Sequence, residues 1–384
     1  MVNCYDFETL PDRTQTGSLK WDKYAGRDIL PFWVADMDFL SAPEIVSALE
    51  ARVGQGVFGY TKPYASVESA VTEYLSTSHQ VKAAANDLVW LPGLVPALNV
   101  AARAFGSDVS SILACTPVYP PFLTAPGNQH KRLVTAPLSW SGTRWEFDFD
   151  AMEAALTPDS SMFILCNPHN PVGRAFSRSE LMSLADFCLK HNLVLCSDEI
   201  HCDLILDEGV THVAMGSLDH PIRERLISLF APSKTYNLPG LACAFAHIEN
   251  RSLRNQFKRA AMGTITEVNA FGYAGCEAAY RFGEPWRQEL LTVLRENRDR
   301  LYKALEPYAD KVSVYPMEAT YLAWMDVRSL GAKDAPGHFE THGIGLSDGT
   351  PFGNPGFLRF NFGCPLLHLE EGIRRLVYGI ESVS

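Results

Sequence analysis

The stretch from residue 162 to 198, MFILCNPHNPVGRAFSRSELMSLADFCLKHNLVLCSD, places a helical pattern between two short apolar runs. The runs cover 162–166 and 193–196, and residues 179–190 between them have the periodicity of a helix. Runs that are apolar throughout are typical of strands covered on both faces, and intervening helices are typical of parallel sheets. The stretch therefore predicts one strand–helix–strand unit.

The same alternation extends along much of the chain. Further apolar runs lie at 87–91, 111–115, 226–230 and 242–247, with a helical pattern at 94–105. Together they predict an α/β fold with a mostly parallel sheet covered by helices.

The pattern changes after residue 283, where apolar residues recur at helical spacing and predict one long helix. These residues are Trp286, Leu290, Leu294, Leu301 and Leu305. Short strands predicted at 312–315, 321–324 and 357–362 would belong to a smaller α/β domain. We expect an arm and part of the small domain at 1–45, a large domain at 46–283, and the long helix with the small domain at 284–384.

Composition excludes several classes of protein. The chain has 384 residues, with 33 Lys and Arg against 44 Asp and Glu, a net charge of −11 and 47% hydrophobic residues. That balance argues against disorder and against nucleic acid or an anionic membrane as partner. The first residues are acidic, which argues against a secretory signal peptide. No apolar stretch is long enough for a membrane span, so we expect none. Nine scattered cysteines, several inside apolar runs, favour a reducing compartment, so we expect a cytoplasmic protein.

Lys234 stands out because it is the only formally charged residue between 226 and 248, in a chain that is 20% charged. Desolvation lowers the pKa of an amine, and a neutral amine forms a Schiff base with an aldehyde. The alternative is a loop lysine whose ammonium reaches solvent.

Asp198 follows another apolar run, and ligands of open α/β sheets bind beyond the carboxyl ends of strands. A carboxylate there could pair with a protonated pyridine nitrogen, as pyridoxal phosphate requires. A helix cap or a surface carboxylate is the alternative. The pair Asp198 and Lys234 favours the cofactor hypothesis.

Several motifs now carry a resemblance to a known family. They are PFWVADMDF at 31–39, NPHNPVG at 167–173, DEIH at 198–201, SKTYN at 233–237, LSDG at 346–349 and FLRFN at 357–361. In this order they resemble fold-type-I pyridoxal-phosphate enzymes of the aminotransferase-like superfamily. Within it the chain is similar, nearly end to end, to carbon–sulfur β-lyases of the cystathionine β-lyase type on an aminotransferase class I/II scaffold.

The resemblance implies roles for residues around the cofactor. Lys234 would hold pyridoxal 5'-phosphate as a Schiff base and later move the substrate's α-proton, with Asp198 on the ring nitrogen. The other implied ring and phosphate contacts are Asn170 and His201 near the 3-oxygen, Tyr119 on the ring face, and Gly93, Leu94, Val95 and Ser233 at the phosphate. For Tyr119 the alternative is a buried core tyrosine.

The resemblance also implies contacts beyond the cofactor. Tyr60 would reach the phosphate from a neighbouring subunit, which implies a homodimer. Arg359 would take the substrate's α-carboxylate as a bidentate pair, the alternative being a surface strand arginine. Trp33, Asp36 and Tyr64 are candidates for the substrate pocket.

Two positions depart from the pattern of many superfamily members. A serine and an arginine that contact the phosphate in those proteins are replaced by Ala231 and Ala242. The phosphate site would therefore depend on Ser233, Tyr60 and the helix that follows Gly93.

Two groups of histidines and cysteines resemble metal-binding motifs, but neither has the flanking sequence or spacing of a zinc site. We therefore expect no metal site. His338 and His342 are four residues apart, but the glycines that follow break a helix, and we predict a solvated loop there. Cys196, His201 and Cys202 lack paired spacing.

The leading hypothesis is β-elimination on L-cystathionine or a related cysteine S-conjugate, which gives a thiol, pyruvate and ammonia. Transamination of an amino acid is the first alternative, because it shares the same initial steps. A regulatory role through an unassigned protein partner, alongside or instead of catalysis, is the second.

Overall fold

The computed structural model describes residues 5–383, and its elements are numbered here in chain order. The strands are β1 Leu30–Pro31, β2 Leu88–Leu91, β3 Ser111–Thr116, β4 Arg132–Pro137, β5 Ser139–Trp140, β6 Trp145–Glu146, β7 Ser160–Cys166, β8 Val194–Asp198, β9 Leu226–Phe230, β10 Ala244–His247, β11 Ser313–Val314, β12 Leu322–Asp326, β13 Ile344–Gly345, β14 Ser347–Asp348 and β15 Phe357–Asn361. The helices are α1 Leu19–Asp22, α2 Pro43–Gly54, α3 Ala65–His79, α4 Leu94–Ala104, α5 Pro120–Asn128, α6 Phe149–Ala155, α7 Arg178–Lys190, α8 Arg251–Ala261, α9 Ala270–Phe282, α10 Glu284–Leu305, α11 Ala335–Thr341 and α12 Leu366–Glu381.

The larger sheet has the strand order β2-β10-β9-β8-β7-β3-β4. Strand β10 runs antiparallel to both neighbours, and the other pairings are parallel. All six apolar runs predicted for the large domain are strands of this sheet, so the mostly parallel α/β prediction is confirmed. The seventh strand, β4, was not predicted, because it lies at an edge and several of its side chains are exposed.

Helices cover both faces of the larger sheet. Along β7, Met162, Ile164 and Cys166 pack on a cluster formed with α4, α5 and α8. Phe163 and Leu165 point the other way, into a cluster with α6 and α7. This alternation, with every position buried, is why the run has no polar residue.

The long helix predicted after residue 283 is α10, which has 22 residues and buries the five predicted apolar positions. It adjoins an antiparallel sheet of order β11-β12-β15-β14, which contains the three strands predicted for the small domain. Strand β1 pairs with β13, so the N-terminal segment joins this part of the molecule. The domain boundaries themselves stay a prediction.

The prediction of a solvated loop at 338–342 is wrong. His338 lies in α11, whose first turn is capped by the Asp334 carboxylate accepting from the Gly337 amide. The helix ends at Thr341, with His342 as its C-cap residue before Gly343, whose φ is +79°. The glycines therefore correctly marked the end of the helix, but the sequence did not reveal the short helix before them. His338 Nε2 donates to the Gly379 carbonyl at 2.8 Å, which makes this imidazole a structural contact.

Among residues 5–383, no helix is both long and apolar enough to cross a bilayer.

Candidate active site

A cavity of about 270 Å³ opens beyond the carboxyl ends of the larger sheet's parallel strands. Polar residues reach it because each one follows or ends a strand, as the α/β topology requires. Nine of the residues predicted for the site line it: Gly93, Leu94, Val95, Tyr119, Asn170, Asp198, His201, Ser233 and Lys234.

Lys234 follows β9 and extends into the cavity. Its Nζ donates to the Ala35 carbonyl at 2.5 Å. Burial, and next the positive charge of Arg359, lower the pKa of Lys234 to about 8. A substantial neutral fraction is therefore available near neutral pH, which a nucleophilic or basic amine needs.

Asp198 ends β8 and is buried, with its Oδ1 accepting from the Ile200 amide at 3.1 Å. Burial raises the pKa of Asp198 to about 7. The carboxylate lies in the interior rather than at the surface, so a cation inside the cavity would favour its ionised form.

Arg359, on β15, is 4% exposed, so the surface-arginine alternative is wrong. Its guanidinium donates to the Asn170 amide oxygen at 3.0 Å, the Trp33 carbonyl at 3.0 Å and the Ser347 hydroxyl at 3.4 Å, all of them uncharged. Burial lowers the pKa of Arg359 to about 10. A buried guanidinium held by neutral groups fits a carboxylate from a bound molecule.

His201 is buried, and its Nδ1 has no hydrogen-bond partner within residues 5–383. Burial, and next the charges of Lys234 and Arg359, hold the pKa of His201 well below its usual range. The neutral imidazole is therefore favoured. It can donate one hydrogen bond to, or accept one from, a polar group on a molecule bound in the cavity.

The opposite end of the cavity is the start of α4, where amide groups at 94 and 95 precede the first intrahelical bonds. Gly93 has a φ of +156°, which favours glycine. Ala242 lines this end, with a φ of +51°, whereas Ala231 packs in the core. The lining thus offers backbone amide donors and the Ser233 hydroxyl. These groups can bind a phosphate although no arginine stands at position 242.

Five predicted residues do not line this cavity within one chain: Arg359, Trp33, Asp36, Tyr60 and Tyr64. Tyr60 is fully exposed and lines a separate surface cavity with Phe58 and Phe271. Tyr64 caps α3 and packs edge-to-face with Tyr273 at 6.2 Å.

Trp33 and Asp36 belong to a segment, residues 33–39, that we call the strap. Asp36 is ion-paired with Arg13 at 2.6 Å, and Trp33 contributes its carbonyl to Arg359. The Asn361 side chain donates to the carbonyls of Val34 and Asp36 at 2.6 and 2.7 Å.

Sequence reasoning missed the residues that hold the strap against the cavity. Asn237 accepts from the Met37 amide at 2.9 Å and donates to the Met37 and Phe39 carbonyls. Three motifs quoted from the sequence are therefore in contact: the strap string, SKTYN through Asn237 and FLRFN through Asn361. The asparagines inside apolar strings were the available signal.

A cluster of charged side chains holds the end of the strap that contains Asp36 and Asp38. Lys20, 1% exposed, pairs with Asp38 at 2.7 Å, and Arg13 pairs with Asp38 at the same distance. Two cations facing Asp36 and Asp38 satisfy charges that would otherwise be costly to bury.

Cys202, considered above for metal, lies beside His79 and Asp203. The Tyr74 hydroxyl sits among them, donating to Asp203 at 2.7 Å and lying 3.4 Å from the Cys202 sulfur. His79 Nε2 is 3.0 Å from Asp203, so the group is a hydrogen-bonded network.

A lysine with a lowered pKa and a buried carboxylate lie at or just beyond the ends of parallel strands, near a buried arginine bonded only to uncharged groups. This is the arrangement of an aminotransferase-like enzyme. The chain belongs to the aminotransferase class I and II family, whose model matches residues 27–376.

Within this family, the chain is similar over nearly its full length to several individual proteins. The chain is 35% identical over 382 residues to cystathionine beta-lyase PatB of Bacillus subtilis (strain 168), covering 97% of this chain and 98% of that protein. Among solved structures, that of OvoB has a TM-score of 0.96 at 41% identity, with 98% and 100% of the two chains covered. Pyridoxal 5'-phosphate-containing cystalysin from Treponema denticola has a TM-score of 0.94 at 30% identity, with 99% and 100% covered.

Proposed function

We propose that this protein is a pyridoxal-phosphate-dependent carbon–sulfur β-lyase. It acts on L-cystathionine or a related cysteine S-conjugate and releases a thiol, pyruvate and ammonia. The observation that carries the proposal is that Lys234, with its lowered pKa, and Asp198 line one cavity. Arg359, which lacks a charged partner among its contacts, lies close enough to lower the pKa of Lys234. The relative PatB, named as a cystathionine β-lyase, supports this choice of reaction.

Residues of the cavity suit each part of the cofactor. Bound pyridoxal phosphate supplies an aldehyde that captures amines and a cationic ring that withdraws electrons from the substrate's α-carbon. Lys234 would hold the aldehyde carbon, and the Asp198 carboxylate would pair with the ring nitrogen. Tyr119 would cover the ring, while His201 and Asn170 would contact its oxygen. The phosphate would be held by the Ser233 hydroxyl and the backbone amides at Gly93, Leu94 and Val95.

Substrate binding depends on Arg359. The guanidinium takes the α-carboxylate as a bidentate pair, oriented by its bonds to Asn170 and to the strap carbonyl of Trp33. Trp33, Asp36 and Tyr64 are proposed to shape the pocket for the leaving group.

Proton movement depends on Lys234. The neutral Nζ takes the proton from the α-carbon, and the electron pair left there forms the new double bond as the carbon–sulfur bond breaks. The sulfur leaves with its own bonding pair as a thiolate, and the proton held by Lys234 can neutralise it. The enamine product hydrolyses in water to pyruvate and ammonia.

The test incubates cofactor-loaded protein with L-cystathionine and measures free thiol and pyruvate. We expect the two products in equal amounts, and none from Lys234→Ala. Lys131→Met is the matched control, because the Lys131 Nζ also donates to a carbonyl, that of Phe105, outside the cavity. A keto acid without thiol would instead establish transamination, and no product from any cysteine S-conjugate would refute both activities.

We further propose that the active enzyme is a cytoplasmic homodimer. Exposed apolar side chains close to Tyr60 in the chain support an interface there: Val57 and Phe58 are 69% and 63% exposed. Tyr60 from one subunit would then complete the phosphate site of the other. The eight described cysteines are buried free thiols, which supports a reducing compartment.

A further inference from the structure

We propose that Tyr321 is a positioning residue for the reactive lysine, acting through the one carbonyl oxygen that both side chains share. The inference rests on the proposed function, since it concerns the amine that function requires. The Tyr321 hydroxyl donates to the Ala35 carbonyl at 3.0 Å, and Lys234 Nζ donates to the same oxygen at 2.5 Å.

The burial of Tyr321 keeps its hydroxyl in this hydrogen bond. The residue is 1% exposed, and its ring packs edge-to-face on His201 at 6.3 Å. Burial raises the pKa of Tyr321 far above its usual range, so the phenol keeps its proton and acts as a donor. The hydroxyl is therefore a permanent second donor at the oxygen that holds Lys234.

The backbone before Tyr321 is strained. Thr320 has a φ of +74°, a left-handed conformation that is a clear outlier for a β-branched residue. It persists because the Thr320 amide donates to the Leu204 carbonyl at 2.8 Å and the Phe362 amide donates to the Tyr321 carbonyl at 2.9 Å. Such strain clusters at functional sites, and here it directs a buried ring at the strap.

Charged and titratable groups surround Lys234 on several elements. Arg359 faces it from β15, Asp198 from the end of β8 and Asp36 from the strap, while His201 lies in the turn after β8. Of these, Arg359 opposes the ammonium and the two carboxylates favour it. Tyr321 differs from them all, because it acts on the ammonium through a shared neutral acceptor.

Two donors on one carbonyl weaken each other, because each withdraws electron density from the same oxygen. With the Tyr321 hydroxyl present, the Lys234 ammonium gains less from Ala35, and the neutral amine is released more readily toward a substrate. Without it, the ammonium would bind the carbonyl more tightly and remain charged to higher pH.

The experiment compares Tyr321→Phe with wild type. In the full chain freed of cofactor, Lys234 is labelled with acetic anhydride across pH 6–10 and quantified by peptide mass spectrometry. We expect the pH of half-maximal labelling to rise by about one unit in the variant, roughly the effect of strengthening one hydrogen bond to a charged group. In the loaded enzyme, the acid limb of the kcat/KM profile is expected to move the same way.

Tyr302→Phe is the matched control. Its hydroxyl also bonds main-chain groups, donating to the Tyr315 carbonyl at 3.3 Å and accepting from the Met317 amide at 2.8 Å, but it lies outside the cavity. Its labelling midpoint should equal that of wild type. An unchanged midpoint in Tyr321→Phe, or an equal rise in both variants, would overturn the proposal.

Should Tyr321→Phe fail to fold, Tyr321→4-fluorophenylalanine fills more of the space left by the hydroxyl but cannot donate a hydrogen bond. Its midpoint should also rise, and an unchanged value would refute the proposal. Labelling does not require turnover, so a wild-type protein that releases no thiol would contradict the proposed function and leave this measurement interpretable.

Discussion

At the scale of single residues, the environment of each ionisable side chain decides its chemistry. Burial lowers the pKa of Lys234 to about 8 and raises that of Asp198 to about 7, although the two residues share one cavity. In both cases desolvation penalises the charged form. A cationic ring placed between strand ends would reverse that penalty for Asp198, which links cofactor binding to stability.

The first prediction concerns Asp198→Asn in the cofactor-free chain. Folded Asp198 has a pKa of about 7 against an ordinary value of 3.8, so between these values the folded state binds a proton that the unfolded state has lost. The contribution of this group to stability therefore falls as pH rises through that window. Urea denaturation at pH 5 and 7.5 should show a smaller decline for Asp198→Asn than for wild type. Equal declines would contradict the raised pKa.

Arg359→Lys tests the carboxylate site. A lysine cannot form the bidentate pair or keep both contacts to Asn170 and Trp33, so we expect KM for cystathionine to rise about 10- to 100-fold, with a smaller change in kcat. Steady-state kinetics measure both constants. The control Arg328→Lys alters an exposed pair with Asp326 and should change neither. An unchanged KM in Arg359→Lys would exclude this binding role.

At the scale of elements, the start of α4 and the strap residue Ala35 both line the cavity. The helix start provides amide donors because its first turn has no intrahelical acceptors. The strap has an irregular backbone, and side chains from two distant segments satisfy its polar groups.

Gly93→Ala should weaken cofactor binding. A Cβ meets only Pro96 at 3.6 Å, but the φ of +156° is unfavourable for alanine, at a cost of about 1–2 kcal/mol. The backbone must then shift at the phosphate end, and we expect the Kd for pyridoxal phosphate to rise roughly 5- to 30-fold. Absorbance titration measures it. Gly209→Ala, in open space without a positive φ, is the control, and a similar Kd in both variants would contradict the argument.

Asn361→Ala should destabilise the strap. The substitution removes donors to two partly buried carbonyls and a buried acceptor for the Gly363 amide, with an expected loss of about 2–4 kcal/mol in the free energy of unfolding. The control Asn255→Ala, at an exposed position of α8, should lose less than about 0.5 kcal/mol. Urea denaturation compares them, and a loss below about 1 kcal/mol for Asn361→Ala would show that other contacts hold the strap.

At the scale of the whole molecule, one residue proposed for the phosphate site lies away from the cavity of its own chain. Tyr60 is fully exposed and lies in a surface cavity apart from Lys234. Symmetric dimers are the commonest oligomers, and in such a dimer an exposed residue of one subunit can serve its neighbour.

Subunit complementation tests that assembly. Tyr60→Ala and Lys234→Ala should each be nearly inactive alone. After exchange by mild denaturation and refolding, half of the dimers are hybrids with one intact site, so about a quarter of wild-type activity should return. Mixing without exchange is the control. No recovery after verified exchange would mean that Tyr60 serves its own subunit or none.

Much of the architecture followed from local pattern. Fully apolar runs marked the buried strands because both of their faces are covered, while the exposed edge strand β4 escaped detection for the opposite reason. Polar residues just beyond those runs identified most of the cavity lining, since parallel strands end at one edge.

The alternation of strands and helices, the long helix α10 and the place of Lys234 as a cation among apolar residues all follow from the order of residues along the chain. What Lys234 contacts depends instead on the folded arrangement. Its bond to Ala35 joins residues 199 positions apart, and the Tyr321 bond to the same oxygen spans 286. Such pairings depend on how the strap crosses between the two sheets, and residue periodicity carries no information about separations of that length.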